Sequence, residues 1–397
     1  MRILKSLFII LLIIFSLGEL TRIQLANSIA VSLNDVLVFI FVCGWILLKI
    51  VRKEKFNKPF LFRPILLFFV ISIASLLFNI PRLSLNDFFV SLLYPLRWLL
   101  YTGVYFVFMD FDKEFKAKAV KFLLIPISLI IIVGFIQFIF YQNLGNLYYL
   151  GWDMHLYRLF SVFLDPNFTG VFLVLAFIFL LGLIFQIKKI RKIQNIFLLV
   201  LAGLNLVAIY FTYSRTALLS LIIGTLALMY FKINKKYLIF VLALLLFLVL
   251  IAPKSFKTEG TNLFRFASVE QRIKTAQDAI QIFKDNPILG VGYNSYRYYQ
   301  KEHGFLGGYL WEVSHAGSGT DNSFLLILAT TGILGFISYL YLLLKMFLLG
   351  RFRNQTAKLV LFASLIVFCV SSIFLNVLFY TFLMEWLWII LAITESS

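Results

Sequence analysis

Apolar runs of about 17 or more residues recur along the whole chain, and each is long enough to cross roughly 30 Å of hydrocarbon as a helix. A helix is required there because lipid offers no partners for backbone N–H and C=O groups. Of 397 residues, 62% are hydrophobic and 14% are charged. The sequence therefore predicts an all-α polytopic membrane protein. The two cysteines, Cys43 and Cys369, lie within apolar runs, so we expect neither a disulfide framework nor a cysteine metal site.

We predict about twelve transmembrane helices, near residues 3–18, 30–50, 61–79, 88–108, 119–141, 167–187, 195–212, 215–231, 237–252, 322–345, 357–375 and 377–393. Lys and Arg cluster at the N-terminus and in every second connection, which orients the helices with these connections in the cytoplasm. Both termini are then cytoplasmic, and residues 253–321 form one long outer loop. Because this asymmetry accounts for most of the net charge of +18, the charge does not indicate a nucleic-acid partner.

The outer loop contains an amphipathic helix. Ser268 and Gln271 have the spacing of a capping box, and Asp285-Asn286-Pro287 ends the helical pattern. The apolar stripe between these signals consists of Val269, Ile273, Ala276, Ile280 and Phe283. The residues that follow are rich in Gly, Tyr and Trp, a composition that suits a surface at headgroup level or one that binds sugar.

Arg272 and Arg215 occupy positions where a cation is unfavourable unless an anion accompanies it, and Arg158 is a third candidate. Arg272 lies roughly 60° from the centre of the apolar stripe and in the first turn of its helix, where the helix dipole disfavours positive charge. Arg215 opens a helix between two apolar spans, and Arg158 precedes another span. Each could instead cover apolar surface with its stem or contact a lipid headgroup. Charged side chains at such places often mark sites that bind anions.

The tenth predicted span is preceded by His315, Asp321 and Asn322. Asp321 could cap that helix or act as a general base, and His315 could serve as the base instead. Asp165 is expected to cap the sixth span, and His155 is expected to be a solvated loop histidine. No pattern of metal ligands is present, so no metal is predicted.

Four segments in the same order resemble the O-antigen ligase and O-antigen polymerase superfamily of bacterial envelope glycan assembly. They are RLFSVFLDPNFTG (158–170), YSRTALLSLIIG (213–224), SVEQRIKTAQDAIQIFKDNPILGVGYNSY (268–296) and DNSFLLILATTGILG (321–335). One departure concerns the last segment, because ligases usually carry His where this chain has Asp321. Either Asp321 is the base or His315 has taken that role, and the change favours a polymerase over a ligase.

The resemblance implies a glycosyltransferase of the bacterial inner membrane without metal or cofactor. Its donor would be an oligosaccharide on undecaprenyl diphosphate, its acceptor a glycan or lipid-glycan, and a flippase and a chain-length regulator would be partners. Arg215 and Arg272 would stabilise the diphosphate together with Arg158. Sugar hydroxyls would contact Tyr213, Tyr293, Tyr296 and Asn322.

The chain would divide into N-terminal helices (1–150), a core with the outer loop (151–345) and C-terminal helices (346–397). The competing interpretation is a flippase or transporter of lipid-linked glycans. Polar residues near the middle of the membrane and interrupted helices are typical of transporters. In this sequence the centres of most predicted spans are apolar, and the charges gather at the outer edge. This distribution favours an enzyme.

Overall fold

A computed structural model of the chain describes residues 1–26, 29–150, 152–187, 193–232, 258, 261–262, 267–306, 319–350 and 356–396. These residues are mostly helical. The α-helices are α1 (Arg2–Phe15), α2 (Leu33–Val51), α3 (Phe62–Phe78), α4 (Leu85–Met109), α5 (Lys113–Phe122), α6 (Leu124–Phe140), α7 (Pro166–Ile184), α8 (Ile193–Phe211), α9 (Arg215–Tyr230), α10 (Ala267–Asp285), α11 (Tyr296–Glu302), α12 (Ser323–Leu349), α13 (Thr356–Ser372) and α14 (Thr381–Glu395).

Within the described ranges, six helical stretches are long and apolar enough to cross a membrane: α2, α4, α5 with α6, α7, α8 and α12. Helices α3, α9 and α13 are apolar but shorter. Eleven of the predicted spans coincide with helices among the described residues, with bounds that differ by a few residues. The remaining predicted span, 237–252, lies outside these residues. A polytopic helical protein is thus confirmed, whereas the number twelve and the long outer loop stay predictions.

Two short strands, β1 (Ile23–Ala26) and β2 (Ile29–Val31), pair in antiparallel fashion between α1 and α2. The prediction of an entirely helical chain did not include them. Their β-branched residues suit a strand, but segments of four and three residues are too short for an alternating pattern to stand out.

Helix α7 lies at the centre of the bundle. Its most apolar stretch is 78% buried, and the helix packs against α8, α9 and α13. A helix that is apolar on all sides is stable when protein surrounds it, and the sequence of α7 has this character. Around it, α14 packs against α4, and α12 packs against α3 and α10.

Helix α12 is broken at Gly332, where φ is 63° and ψ is −166°. The break leaves carbonyl groups without partners inside their own helix. The carbonyls of Ala329 and Thr330 accept hydrogen bonds from the backbone N–H groups of Val291 and Gly292, both at 3.0 Å. The segment after α10 thus completes the hydrogen bonding of a membrane helix.

Two glycines make this contact possible. A Cβ atom on Gly332 would lie 2.2 Å from the carbonyl oxygen of Ile288, and one on Gly290 would lie 2.4 Å from the carbonyl carbon of Thr330. Both distances are far below normal van der Waals contact, and both glycines have positive φ. The sequence PILGVG at 287–292 and the sequence TTG at 330–332 therefore form one structural unit, the interlock.

Helix α3 anchors the interlock from the other side. The hydroxyl of Ser75 donates to the carbonyl of Leu289 at 2.6 Å or to that of Thr330 at 2.8 Å. The side-chain amide of Asn79 donates to the carbonyl of Gly290 at 3.0 Å. These contacts fix the residues that follow the interlock, 293–298, against the helical bundle.

Candidate functional site

A cavity of about 640 Å³ lies where the ends of several apolar helices meet the connections between them. Its volume is within the range of roughly 300–1,000 Å³ that is typical of ligand pockets. Both halves of the chain form its wall, with residues from the segments 19–32, 90–97, 152–168, 271–272, 293–298, 319–330 and 375–381. These are the connections and helix ends that the distribution of Lys and Arg assigns to the outer side.

Arg158 lies in the wall of the cavity and is buried, with 5% of its surface exposed. Its Nε donates to the carbonyl of Thr212 at 2.9 Å, and its Nη2 donates to Oδ1 of Asn167 at 3.2 Å. Arg158 thereby joins three parts of the chain: its own loop, the start of α7 and the turn between α8 and α9. A buried cation in a cavity wall favours a nearby anion.

Arg272 and Asp321 both line the cavity, and Nε of Arg272 lies 3.5 Å from Oδ2 of Asp321. Their side chains are 23% and 48% exposed, so a ligand can reach both. Burial raises the pKa of the Asp321 carboxyl, whereas the positive charge of Arg272 lowers it. Arg272 is the sixth residue of α10, because this helix begins at Ala267. Arg272 therefore lies two residues further into the helix than predicted, in the second turn and not in the first.

Arg215 is the first residue of α9, as predicted, and Ser214 caps this helix by accepting from the N–H of Ala217. The positive charges of Arg215 and Arg272 repel each other, so the two guanidinium groups are within electrostatic range of each other. Arg215 and Tyr213 are not among the described residues that line the cavity. Tyr213 is buried and has a φ of 48°, which is unfavourable for a residue other than glycine.

Asn322, and not Asp321, caps α12. Its Oδ1 accepts hydrogen bonds from the N–H groups of Phe324 at 2.9 Å and Leu325 at 3.0 Å. The expectation that Asp321 could fill this role was wrong, because the helix begins at Ser323, one residue later than predicted. The carboxylate of Asp321 is thereby available to Arg272.

Tyr293 and Tyr296 both line the cavity although their side chains are largely buried. The ring of Tyr293 packs edge-on against Phe68 and Phe379. The hydroxyl of Tyr296 has no hydrogen-bond partner among the described residues, and neither has Oγ1 of Thr320, another lining residue. Buried polar atoms without a protein partner require an explanation.

His155 differs from its prediction as a solvated loop residue. Its side chain is only 9% exposed, lines the cavity and places Nε2 3.8 Å from Oδ2 of Asp165. Asp165 caps α7 as predicted, through Oδ1. His315 lies outside the described residues. No group of three or more His, Cys, Asp or Glu side chains that could hold a metal ion is found in the described part of the chain.

The N-terminal third contributes charged residues that the sequence analysis did not select. Arg97 lines the cavity and makes two hydrogen bonds of 2.7 Å with the carboxylate of Asp35. Arg22 pairs with Glu19 at 3.4 Å, and both line the cavity. Asp35 and Arg97 each interrupt a predicted span, and this signal could have identified them.

Residues 197–340 match a family model described as O-Antigen ligase. The match covers a little over a third of the chain and contains Arg215, Arg272, Asp321 and both parts of the interlock. The segment 158–170 precedes it. No curated protein matches the chain. Together with the apolar helices, the family match supports membership of the O-antigen ligase and polymerase superfamily and indicates a multi-pass membrane enzyme of that type.

Proposed function

We propose that the protein transfers a glycan from undecaprenyl diphosphate to an acceptor sugar hydroxyl at the outer leaflet of a bacterial inner membrane. The observation that carries this proposal is the cavity in which Arg158, Arg272 and Asp321 meet. It lies at the ends of apolar helices, where a lipid-linked substrate and a water-soluble glycan can both arrive. The family match supports the same class of reaction.

The three arginines have the chemistry that a lipid diphosphate leaving group requires. Negative charge develops on the diphosphate as the bond to the sugar breaks, and fixed cations stabilise it. Arg272 and Arg158 line the cavity, and Arg215 adds a positive charge within electrostatic range of Arg272. Guanidinium groups bind phosphate oxygens in pairs. The reaction therefore needs neither a metal nor a cofactor, and direct attack by the acceptor inverts the anomeric centre.

Asp321 and His315 remain the two candidates for the base that the family resemblance provides. The raised pKa of Asp321 suits a base, because a carboxylate with more affinity for protons accepts one more readily. Its contact with Arg272 suits a second role, which is to hold that side chain in place before the donor binds.

Sugar binding is supported by the polar atoms of the cavity wall. The hydroxyls of Tyr296 and Thr320, unpartnered among the described residues, can bond to sugar hydroxyls, and the ring of Tyr293 offers an apolar face. Asn322 uses its carbonyl oxygen as a helix cap and would contribute its amide nitrogen. Tyr213 would act from the neighbouring turn before α9.

A flippase or transporter of lipid-linked glycans is the second candidate, and the break in α12 is the observation that favours it. Broken helices in transporters often expose backbone groups to a substrate or an ion. In this protein the carbonyls of Ala329 and Thr330 at the break are occupied by the backbone of residues 291–292. The break therefore serves the internal interlock, and the enzyme is the better proposal.

The proposal includes the topology and the domain division predicted above. Both termini would be cytoplasmic, with helices 1–150 and 346–397 on either side of a core formed by residues 151–345. A flippase would deliver the donor to the outer leaflet, and a chain-length regulator would limit the product. The sequence departure at Asp321 favours polymerisation over ligation.

A reconstituted reaction tests the proposal. Purified protein in lipid nanodiscs receives an undecaprenyl diphosphate-linked oligosaccharide and an acceptor glycan, with EDTA present. We expect a longer glycan and released lipid diphosphate. Arg272→Ala and Arg215→Ala should abolish the product, and Arg272→Lys should restore it poorly. Arg82→Ala is the matched control, because Arg82 is an exposed arginine that bonds to Asn286 at 2.6 Å outside the cavity wall.

Two results would contradict the proposal. One is product formation by both Arg→Ala variants at the wild-type rate. The other is the absence of product from the wild-type protein combined with movement of the lipid-linked glycan across a liposome membrane. The second result would establish the transporter.

A further inference from the structure

The cavity contains an acid–base pair that lies outside the segment matched by the O-antigen ligase family. His155 and Asp165 both line the cavity, with 3.8 Å between Nε2 and Oδ2. A carboxylate at this distance from a histidine stabilises the protonated form of the ring. Within the described residues, His155 is the histidine that lines the cavity.

Asp165 is held rigidly for this role because its two oxygens have different partners. Oδ1 accepts hydrogen bonds from the N–H groups of Asn167 at 2.6 Å and Phe168 at 3.2 Å, which caps α7. Oδ2 is the oxygen nearest to His155. The start of a central helix thus fixes the carboxylate that faces the imidazole.

The backbone around His155 is also constrained. His155 and Tyr157 have φ values of 45° and 54°, which are unfavourable for residues with a Cβ atom. Hydrogen bonds from the N–H of Tyr157 to the carbonyl of Gln142 and from the N–H of Leu144 to the carbonyl of Met154, both 2.8 Å, hold this segment in place. Unfavourable backbone conformations persist where the surrounding structure enforces them, and they cluster at functional sites.

We propose that His155, with the carboxylate of Asp165 beside it, is the general base for the acceptor hydroxyl. The inference rests on the proposed glycan transfer. The acceptor oxygen forms a bond to the anomeric carbon, the bond from that carbon to the diphosphate oxygen breaks, and the electron pair leaves with the lipid diphosphate. The acceptor proton moves to the imidazole of His155, and the carboxylate of Asp165 beside it stabilises the positive charge that results. Asp321 then serves to position Arg272.

Histidine suits this step better than a carboxylate because its ordinary pKa of about 6.5 is close to neutral pH. Other charged and titratable groups line the same cavity. They come from the loop before α7, the connection between α1 and α2, helix α10 and the segments before α12 and α14: Glu19, Arg22, Asp153, Arg158, Arg272, Asp321 and Tyr380. A variant that changes Asp165 and leaves these groups unchanged isolates the effect of the Asp165 charge on the ring.

The test replaces each of the three histidines by Gln and measures the transfer rate in nanodiscs with saturating lipid-linked donor. We expect His155→Gln to lower kcat by about 10²–10⁴-fold, the usual contribution of a general base. His303→Gln is the matched control and should keep the wild-type rate, because His303 stacks on Tyr299 at 3.9 Å outside the cavity wall. His315→Gln should have a smaller effect than His155→Gln.

Two further variants separate a base from a structural residue. Asp165→Asn keeps the helix cap, since Asn caps as well as Asp, but removes the negative charge beside the ring. The decline of the rate at low pH should then move to lower pH with unchanged thermal stability, because protonated His155 has lost its neutralising partner. His155→Gly fits the positive φ without strain, and added imidazole should restore part of its rate.

The inference is overturned if His155→Gln retains the wild-type rate and pH profile, or if His315→Gln alone abolishes transfer. A His155→Gly variant that imidazole does not rescue would also overturn it. Failure of the proposed function looks different, because the wild-type protein and His303→Gln would then give no product at all.

Discussion

Replacing Gly332 by Ala tests whether the interlock holds the outer segment on the membrane helices. The backbone at Gly332, with φ of 63° and ψ of −166°, lies in a region that is nearly restricted to glycine. Other residues occupy such regions at a cost of about 1–3 kcal/mol. The new Cβ would also lie 2.2 Å and 2.3 Å from the carbonyl oxygen and carbon of Ile288. Backbone atoms must move, which costs roughly another 1–3 kcal/mol. We expect a loss of about 2–6 kcal/mol in the free energy of unfolding.

Two glycines provide controls that separate these contributions. Gly304 has a φ of 72°, but no described atom lies within 4 Å of the position that an added Cβ would take, so Gly304→Ala measures the conformational cost alone. Gly203 lies in the interior of α8 with the same open space at its Cβ position, so Gly203→Ala should be neutral or stabilising. Unfolding of the purified variants in one detergent, followed by tryptophan fluorescence, gives their relative stabilities.

The expected order of stability is Gly203→Ala at or above the wild type, Gly304→Ala slightly below it and Gly332→Ala far below both. Glycan transfer by Gly332→Ala should fall as well, because residues 293–298 of the cavity wall follow the interlock directly. A Gly332→Ala variant as stable as the wild type would refute the reasoning, since the segment 287–292 could not then be seated in the break.

Two further variants test the start of α12. Asn322→Ala should lower the free energy of unfolding by about 1 kcal/mol, because the cap to two backbone amides is lost. Asn322→Asp should retain the cap and therefore the stability. Thermal unfolding of both variants distinguishes a cap from an Asn that acts only on substrate. Burial raises the pKa of Asp321, so the folded state disfavours its charged form and loses stability as pH rises above the unfolded pKa of about 4. Asp321→Asn should therefore be at least as stable as the wild type at pH 7, yet transfer glycan more slowly. A clear loss of stability at pH 7 would show that attraction to Arg272 outweighs the cost of burying the carboxylate.

The long helices could be predicted because their signal is local. The length of an apolar run determines whether it can span a membrane. The predicted bounds of α4 and of α8 agree with the structure to within a few residues. The helix cap at Asp165 was predicted from an equally local signal. The break in α12 was not predicted, because Gly332 looks like a tolerated glycine until residues 287–292, some forty positions earlier, are placed against it.

The site could be predicted only in part for the same reason. Arg158, Arg272 and Asp321 were selected from local irregularities, and the fold brings them to one cavity. His155 carried no local irregularity, since a polar loop histidine is ordinary. Its burial and its contact with Asp165 arise from the path of the loop between α6 and α7, which no periodicity describes.

About half of the cavity wall is built by residues that precede the matched segment, including Glu19, Arg22 and Arg97. Residues 197–340 in isolation would thus lack about half of the residues that line the cavity. Under the proposed function, changes in the segments before residue 197 would alter the sugar preference while Arg215 and Arg272 kept their proposed role toward the diphosphate. A comparison confined to residues 197–340 would not detect such changes.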